Sequence, residues 1–120
     1  MINNYRKLQV WEKAVELVEK IYKITEKFPD NEKFGLISQM RRASISIPSN
    51  IAEGKIRAGD TEFRRFLLIA FGSGAELETQ IEISKRLSYC SEEETANITV
   101  ALSEVMKMLN SLIQKLDASS

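Results

Sequence analysis

Ser44-Ile45-Ser46-Ile47-Pro48-Ser49-Asn50-Ile51-Ala52-Glu53-Gly54, SISIPSNIAEG in one-letter form, carries two competing patterns. Its first half alternates polar and apolar residues, as a half-buried strand does. Its second half spaces Ile47 and Ile51 four apart, as a helix does, with Pro48 between them. The wider frame decides. Ile37, Met40, Ser44, Ile47, Ile51, Gly54 and Ala58 step by three and four, and the register crosses Pro48 without slipping. A strand accounts only for Ile45 and Ile47, whereas a helix accounts for about twenty residues on both sides. The segment reads as one helix opening at Asp30, a plausible N-cap with Glu32 in the first turn. A proline inside a helix removes one amide donor and crowds the carbonyl four residues back, here that of Ser44, so a kink is expected at Pro48. The alternative is a break into two shorter helices.

Three more periodic segments flank it. From Tyr5 to Phe28, Leu8, Trp11, Val15, Val18, Tyr22 and Thr25 form a stripe broadened by Ala14, Leu17 and Ile21, and Pro29 ends it. After Gly59, with Asp60 or Thr61 as cap, Phe63, Leu67, Ala70, Gly74, Leu77, Ile81 and Ser84 form the third stripe, ending near Ser88 and Tyr89. The fourth opens on a capping box, Ser91-Glu92-Glu93-Glu94, and carries Ile98, Leu102, Val105, Leu109, Leu112 and Leu116. Helices of about 22 to 28 residues, roughly 33–42 Å long, joined by short connections, predict an all-α fold. The simplest is an antiparallel up-down-up-down four-helix bundle forming a single domain over residues 1–120.

Composition narrows the function. A chain that is 43% hydrophobic and 28% charged is of ordinary globular composition. The apolar run Phe66–Phe71 is far shorter than the roughly 20 residues of a membrane span. MINNYRKLQV has no apolar signal core and the lone Cys90 suits a reducing compartment, so the expectation is a cytoplasmic protein without membrane contact. There is no histidine, which removes the commonest general base, the Ser-His and Cys-His pairs and the Glu-x-x-His pattern of di-iron bundles. No Gly-rich phosphate loop is present. Glu12/Glu16 and Glu78/Glu82 pair at helical spacing, as solvated faces commonly do. No catalytic residue, metal site or cofactor is expected.

Net charge is zero but uneven: residues 1–59 hold 11 Lys/Arg and 7 Asp/Glu, residues 60–120 hold 6 and 10. Arg41 and Arg42 precede the kink, Lys55 and Arg57 close the second helix, and Arg64 and Arg65 open the third. The last four gather at one turn of the bundle and, repeated around an assembly, would offer a surface for phosphate backbones. The plainer reading is charge at helix ends that keeps a domain soluble. Ser46, Asn50 and Glu53 fall on one line beside Pro48, with Ser49 adjacent. They form either a polar network, to another helix or across a subunit boundary, or a solvated edge of a bent helix. On the third helix, Leu68, Gly72, Ala75, Thr79 and Ile83 line the side away from the main stripe, widened by Ile69 and Phe71. A monomeric bundle puts charge there, so this face reads as a self-association surface; the alternative is a helix covered on both sides within its own bundle.

The motifs together resemble a known family. Tyr5-Arg6-Lys7-Leu8-Gln9-Val10-Trp11, Phe34-Gly35-Leu36 leading to Gln39-Met40-Arg41-Arg42-Ala43, Ser46 through Gly54, Glu62-Phe63-Arg64-Arg65-Phe66-Leu67, Ala70, Gly72-Ser73 and Glu76-Leu77-Glu78-Thr79-Gln80 carry the resemblance. They are similar to the bundle proteins encoded within intervening sequences of bacterial 23S ribosomal RNA genes, over nearly the whole chain. The resemblance implies a left-handed four-helix bundle assembled into a five-fold ring, without catalytic residues. Relatives include the accessory protein of diversity-generating retroelements, which implies RNA or a nucleic-acid-bound protein as partner. Here Gly54 is followed by Lys55-Ile56-Arg57-Ala58-Gly59-Asp60, less basic than in many relatives. The expected protein is therefore a homo-oligomeric scaffold, a pentamer as the resemblance implies, touching RNA or a nucleic-acid-bound protein through the basic turn, the alternative being a protein–protein adaptor.

Overall fold

A computed structural model describes residues 4–57 and 59–118. Four helices are present: α1 (Gln9–Thr25), α2 (Leu36–Ile56), α3 (Asp60–Arg86) and α4 (Glu92–Ala118). Short 3-10 turns at Tyr5–Lys7 and Asp30–Glu32 precede α1 and α2, and no strand occurs among the described residues. Each helix packs on two neighbours, α1 and α3 both lying between α2 and α4, in a body of 45 × 23 × 20 Å. Partners pair in opposite chain order. Along α2 and α3, Met40 meets Ser84, Ser46 meets Ser73 and Gly54 abuts Phe66. Along α1 and α4, Lys13 pairs with Glu104 and Lys27 with Glu94.

The SISIPSNIAEG segment is helical, and α2 runs unbroken through Pro48, which is buried with Met40, Ala43, Ser44, Ile47, Ile51 and Gly54. Ala58, the last member of its expected stripe, lies outside the described residues. The start differs from expectation. Asp30 opens only a 3-10 turn, and α2 begins six residues later at Leu36, whose N–H donates to Glu32 Oε1 at 3.1 Å. The second oxygen of the same carboxylate accepts from the Tyr89 hydroxyl at 3.0 Å. The cap is therefore Glu32, acting from within the turn rather than from its start.

α1 is shorter than expected, 17 residues, and its centre is shifted. Val10, Ala14, Leu17, Ile21 and Ile24 form the buried line, while Trp11, Val15 and Val18 are half-buried and Tyr22 is exposed. The apolar arc of α1 is wide enough for two centres, and contact with both α2 and α4 selects the line between them. α3 and α4 follow their stripes closely. All seven expected α3 positions are buried. Gly59 supplies the positive φ of 90° that starts α3. The capping box at α4 is reciprocal: Glu94 N–H donates to Ser91 Oγ and Ser91 N–H to Glu94 Oε1, both at 3.0 Å. Farther along α4 the buried residue is Ile113, with Leu112 and Leu116 half-buried beside it.

Candidate interaction surfaces

The six expected cations do not form one patch. Arg41 turns toward α1: its Nε donates to Thr25 Oγ1 at 3.0 Å, an Nη to Tyr22 O at 3.3 Å, and its guanidinium lies 4.3 Å over the Tyr22 ring. It satisfies groups in the last turn of α1, where a cation also opposes the negative helix end. Arg42, next in sequence, is exposed toward α3. Lys55 lies about 20 Å farther along α2, from the rise per residue.

At that far end, Phe63 and Phe66 organise the cations. Lys55 sits 5.3 Å over Phe63; Arg57 and Arg65 sit 5.3 and 4.6 Å over Phe66. Carboxylates accompany them. Arg57 pairs with Glu53 at 2.8 Å and Arg65 with Glu62 at 3.1 Å. The Arg65 hydrogen bond holds Glu62 below the usual carboxylate range and raises Arg65 in turn. Arg64 reaches α4, donating to Ile113 O at 3.3 Å with Asp117 3.8 Å away. The basic turn is thus locally charge-compensated, and only Lys55 among its four cations lacks an acidic partner among the described residues.

Beside Pro48, Asn50 Nδ2 donates to Ser46 O at 2.8 Å and to Ser46 Oγ at 3.0 Å, and Ser46 Oγ shares a 2.8 Å hydrogen bond with Ser73 Oγ of α3. This network links α2 and α3 within one chain. Glu53 is not part of it, being held by Arg57, and Ser49 is exposed.

Leu68, Gly72, Ala75, Thr79 and Ile83 are all exposed on α3, with Leu68 at 45% and Ile83 at 43% relative exposure. Ile69 flanks them at 42%, and Leu87 continues the line one turn on. The Thr79 hydroxyl is satisfied by Ala75 O at 3.1 Å, which lowers the polarity of the strip. A Cβ added at Gly72 would meet nothing within 4 Å. Between this strip and α2 lies a cleft of about 330 Å³ whose walls include Arg42, Ser46, Ser73, Glu76 and Gln80. Gln80 was not among the expected site residues. Its sequence signals are a seven-residue spacing from Ser73, alongside the buried stripe, and its place at the end of the Glu76-Leu77-Glu78-Thr79-Gln80 motif. It is 7% exposed, and its Oε1 is buried without a hydrogen-bond partner.

Other chemistry is sparse among the described residues. No group of three His, Cys, Asp or Glu side chains could hold a metal ion. Burial pushes the Cys90 thiol up, away from the reactive thiolate. No described helix is long and apolar enough to cross a membrane.

Comparison with known proteins gives two findings. The model of the 23S rRNA-intervening sequence protein family matches residues 6–111. A crystal structure of a protein of unknown function from the S23 ribosomal protein family of Bacteroides thetaiotaomicron superposes with a TM-score of 0.81 at 27% identity, covering 88% of this chain and 95% of that one. The search among curated proteins gives no match.

Proposed function

We propose, from the premise that this chain belongs to the 23S rRNA-intervening sequence protein family, that it is a non-enzymatic cytoplasmic scaffold that associates with itself through the outer face of α3. The supporting observation is the exposed strip from Leu68 to Ile83, about 22 Å long at the helical rise. Contiguous apolar surface of this kind marks association sites, and the small residues Gly72 and Ala75 at its centre let another backbone come close. Five copies is the number that the family resemblance implies.

Light scattering tests this directly: the expected mass is a multiple of the 13.7 kDa chain. Gly72→Glu should then dissociate the assembly, raising its dissociation concentration by at least about tenfold, because burying an unpaired carboxylate is strongly unfavourable. The variant should keep its far-UV helical signal, since the position is open and glutamate is a good helix former. An assembly that survives places the contact elsewhere.

The second part of the proposal is contact with RNA, or with a nucleic-acid-bound protein, through Lys55, Arg57, Arg64 and Arg65. Its support is narrower: four cations gathered at one turn of the bundle, three of them over Phe63 and Phe66, rings that are buried beneath the cations rather than open for a base to stack on. The compensating carboxylates count against it. A mobility-shift titration should show binding that falls with added salt and weakens about tenfold when Arg64 and Arg65 are both changed to Glu, two phosphate contacts being lost. Insensitivity to salt and to both substitutions would leave the scaffold with protein partners only.

A further inference from the structure

We infer that the α2–α3 cleft is the receptor for a second copy of this chain, with Arg42 of one copy entering it to pair with Glu76 of the next. The inference rests on the self-association reading and names the contact that gives it specificity.

Three observations carry it. The first is the state of Arg42. The chain has seven arginines. Arg41, Arg57, Arg64, Arg65 and Arg86 each engage a hydrogen-bonding or acidic partner, and Arg6 lies over the rings of Tyr5 and Trp11. Arg42 alone, among the described residues, is engaged by nothing, although it lines a cleft that also holds Glu76. Glu76 is exposed and equally unengaged. A surface carrying one free charge of each sign complements a copy of itself.

The second is Gln80 in the cleft wall, a polar side chain 7% exposed whose Oε1 has no donor. Buried polar atoms in folded proteins are nearly always satisfied, so an amide with an unpaired oxygen in a cleft wall is a place where a docking neighbour can supply the missing donor. A guanidinium offers five donors in a rigid fork and no acceptor. It can hold the Glu76 carboxylate and donate to Gln80 once the amide turns about its soft terminal torsion. The third is continuity. Glu76 lies one helical turn from Gly72 and beside Thr79, so the rim of the cleft is the edge of the exposed α3 strip. Docking of a neighbour on that strip brings its charges to the cleft mouth.

The test uses the full chain and the charge swap. Arg42→Glu and Glu76→Arg should each raise the half-dissociation concentration roughly tenfold or more, since like charges then face each other. The double variant R42E/E76R should return to within about threefold of the parent, because the pair is rebuilt with its signs exchanged. Circular dichroism checks that each remains folded. Gln80→Leu should weaken association while raising the thermal stability of the dissociated chain, since it removes an unsatisfied acceptor. A parent protein monomeric at every concentration sinks both this inference and the scaffold reading. Dissociation by Gly72→Glu with no response to either charge reversal sinks this inference alone, as does a double variant as weak as the single ones. Saturable calorimetric binding of free arginine to an assembly indifferent to Arg42→Glu would reassign the cleft to a small molecule.

Discussion

Gly54→Ala should lower the stability of the fold by about 2 kcal/mol, a small change with a large effect. A Cβ at this position would lie 2.6 Å from the Phe66 Cβ, 3.2 Å from Phe63 Cδ1 and 3.3 Å from the Phe63 carbonyl oxygen. These are rigid neighbours, the first and last fixed to the α3 backbone. Relief requires α2 and α3 to separate, which opens gaps elsewhere along the interface. Overpacking of this kind costs about 1–3 kcal/mol and occasionally more. The better helix propensity of alanine returns up to about 1 kcal/mol. Two glycines of α3 serve as references. Gly74→Ala meets the Met106 side chain, a flexible thioether able to move aside, and should cost less. Gly72→Ala meets nothing and should gain about 0.5–1 kcal/mol in the dissociated chain. Thermal unfolding of all three should order them Gly72→Ala, parent, Gly74→Ala, Gly54→Ala from most to least stable. Equal midpoints for the substitutions at 54 and 72 would refute the close approach of α2 and α3.

Leu77→Ala should cost more, about 3 kcal/mol. Leu77 is fully buried in the stripe of α3, within the single hydrophobic core. Truncating a buried leucine loses its transfer free energy and leaves a cavity, together about 2–5 kcal/mol. Urea unfolding should show a lower midpoint with an unchanged slope, since the surface exposed on unfolding is nearly the same. Leu87→Ala, at the half-exposed cap that follows the last residue of the same helix, is the control and should change little in the dissociated chain. Equal losses at both positions would mean that the buried side of α3 is misassigned.

How much of this is legible in the sequence depends on the width of each apolar arc and the reach of each contact. α4 reads well because polar residues flank most of its stripe, and α3 because its main line keeps its step of three and four over seven positions from Phe63 to Ser84, although Leu68, Ile69 and Phe71 widen its apolar surface. α1 misleads because its apolar arc is wide, so periodicity alone does not choose between the Trp11–Val15–Val18 line and the Ala14–Leu17–Ile21 line. Packing against two neighbours does. Asp30 carries a helix-start signal that a 3-10 turn absorbs. The pairs Arg57–Glu53 and Arg65–Glu62 are local, at spacings of four and three, so charge compensation at the basic turn is visible in the spacing itself. The Arg64 bond to Ile113 O, 49 residues away, is not. Nor is the burial of Gln80, which depends on how closely α2 covers that side of α3.

Glu32 has a consequence for the whole molecule. One of its oxygens starts α2 and the other holds Tyr89, whose ring in turn packs 5.3 Å from Phe28. A single carboxylate therefore clasps both interhelical crossings at one pole of the rod, separated by 57 residues of chain. An insertion into either crossing would loosen the other, so length variation in this architecture is better tolerated at the opposite pole, where Gly59 takes a positive φ before α3 and the hydrogen bond from Arg64 to Ile113 O ties helix to helix rather than crossing to crossing.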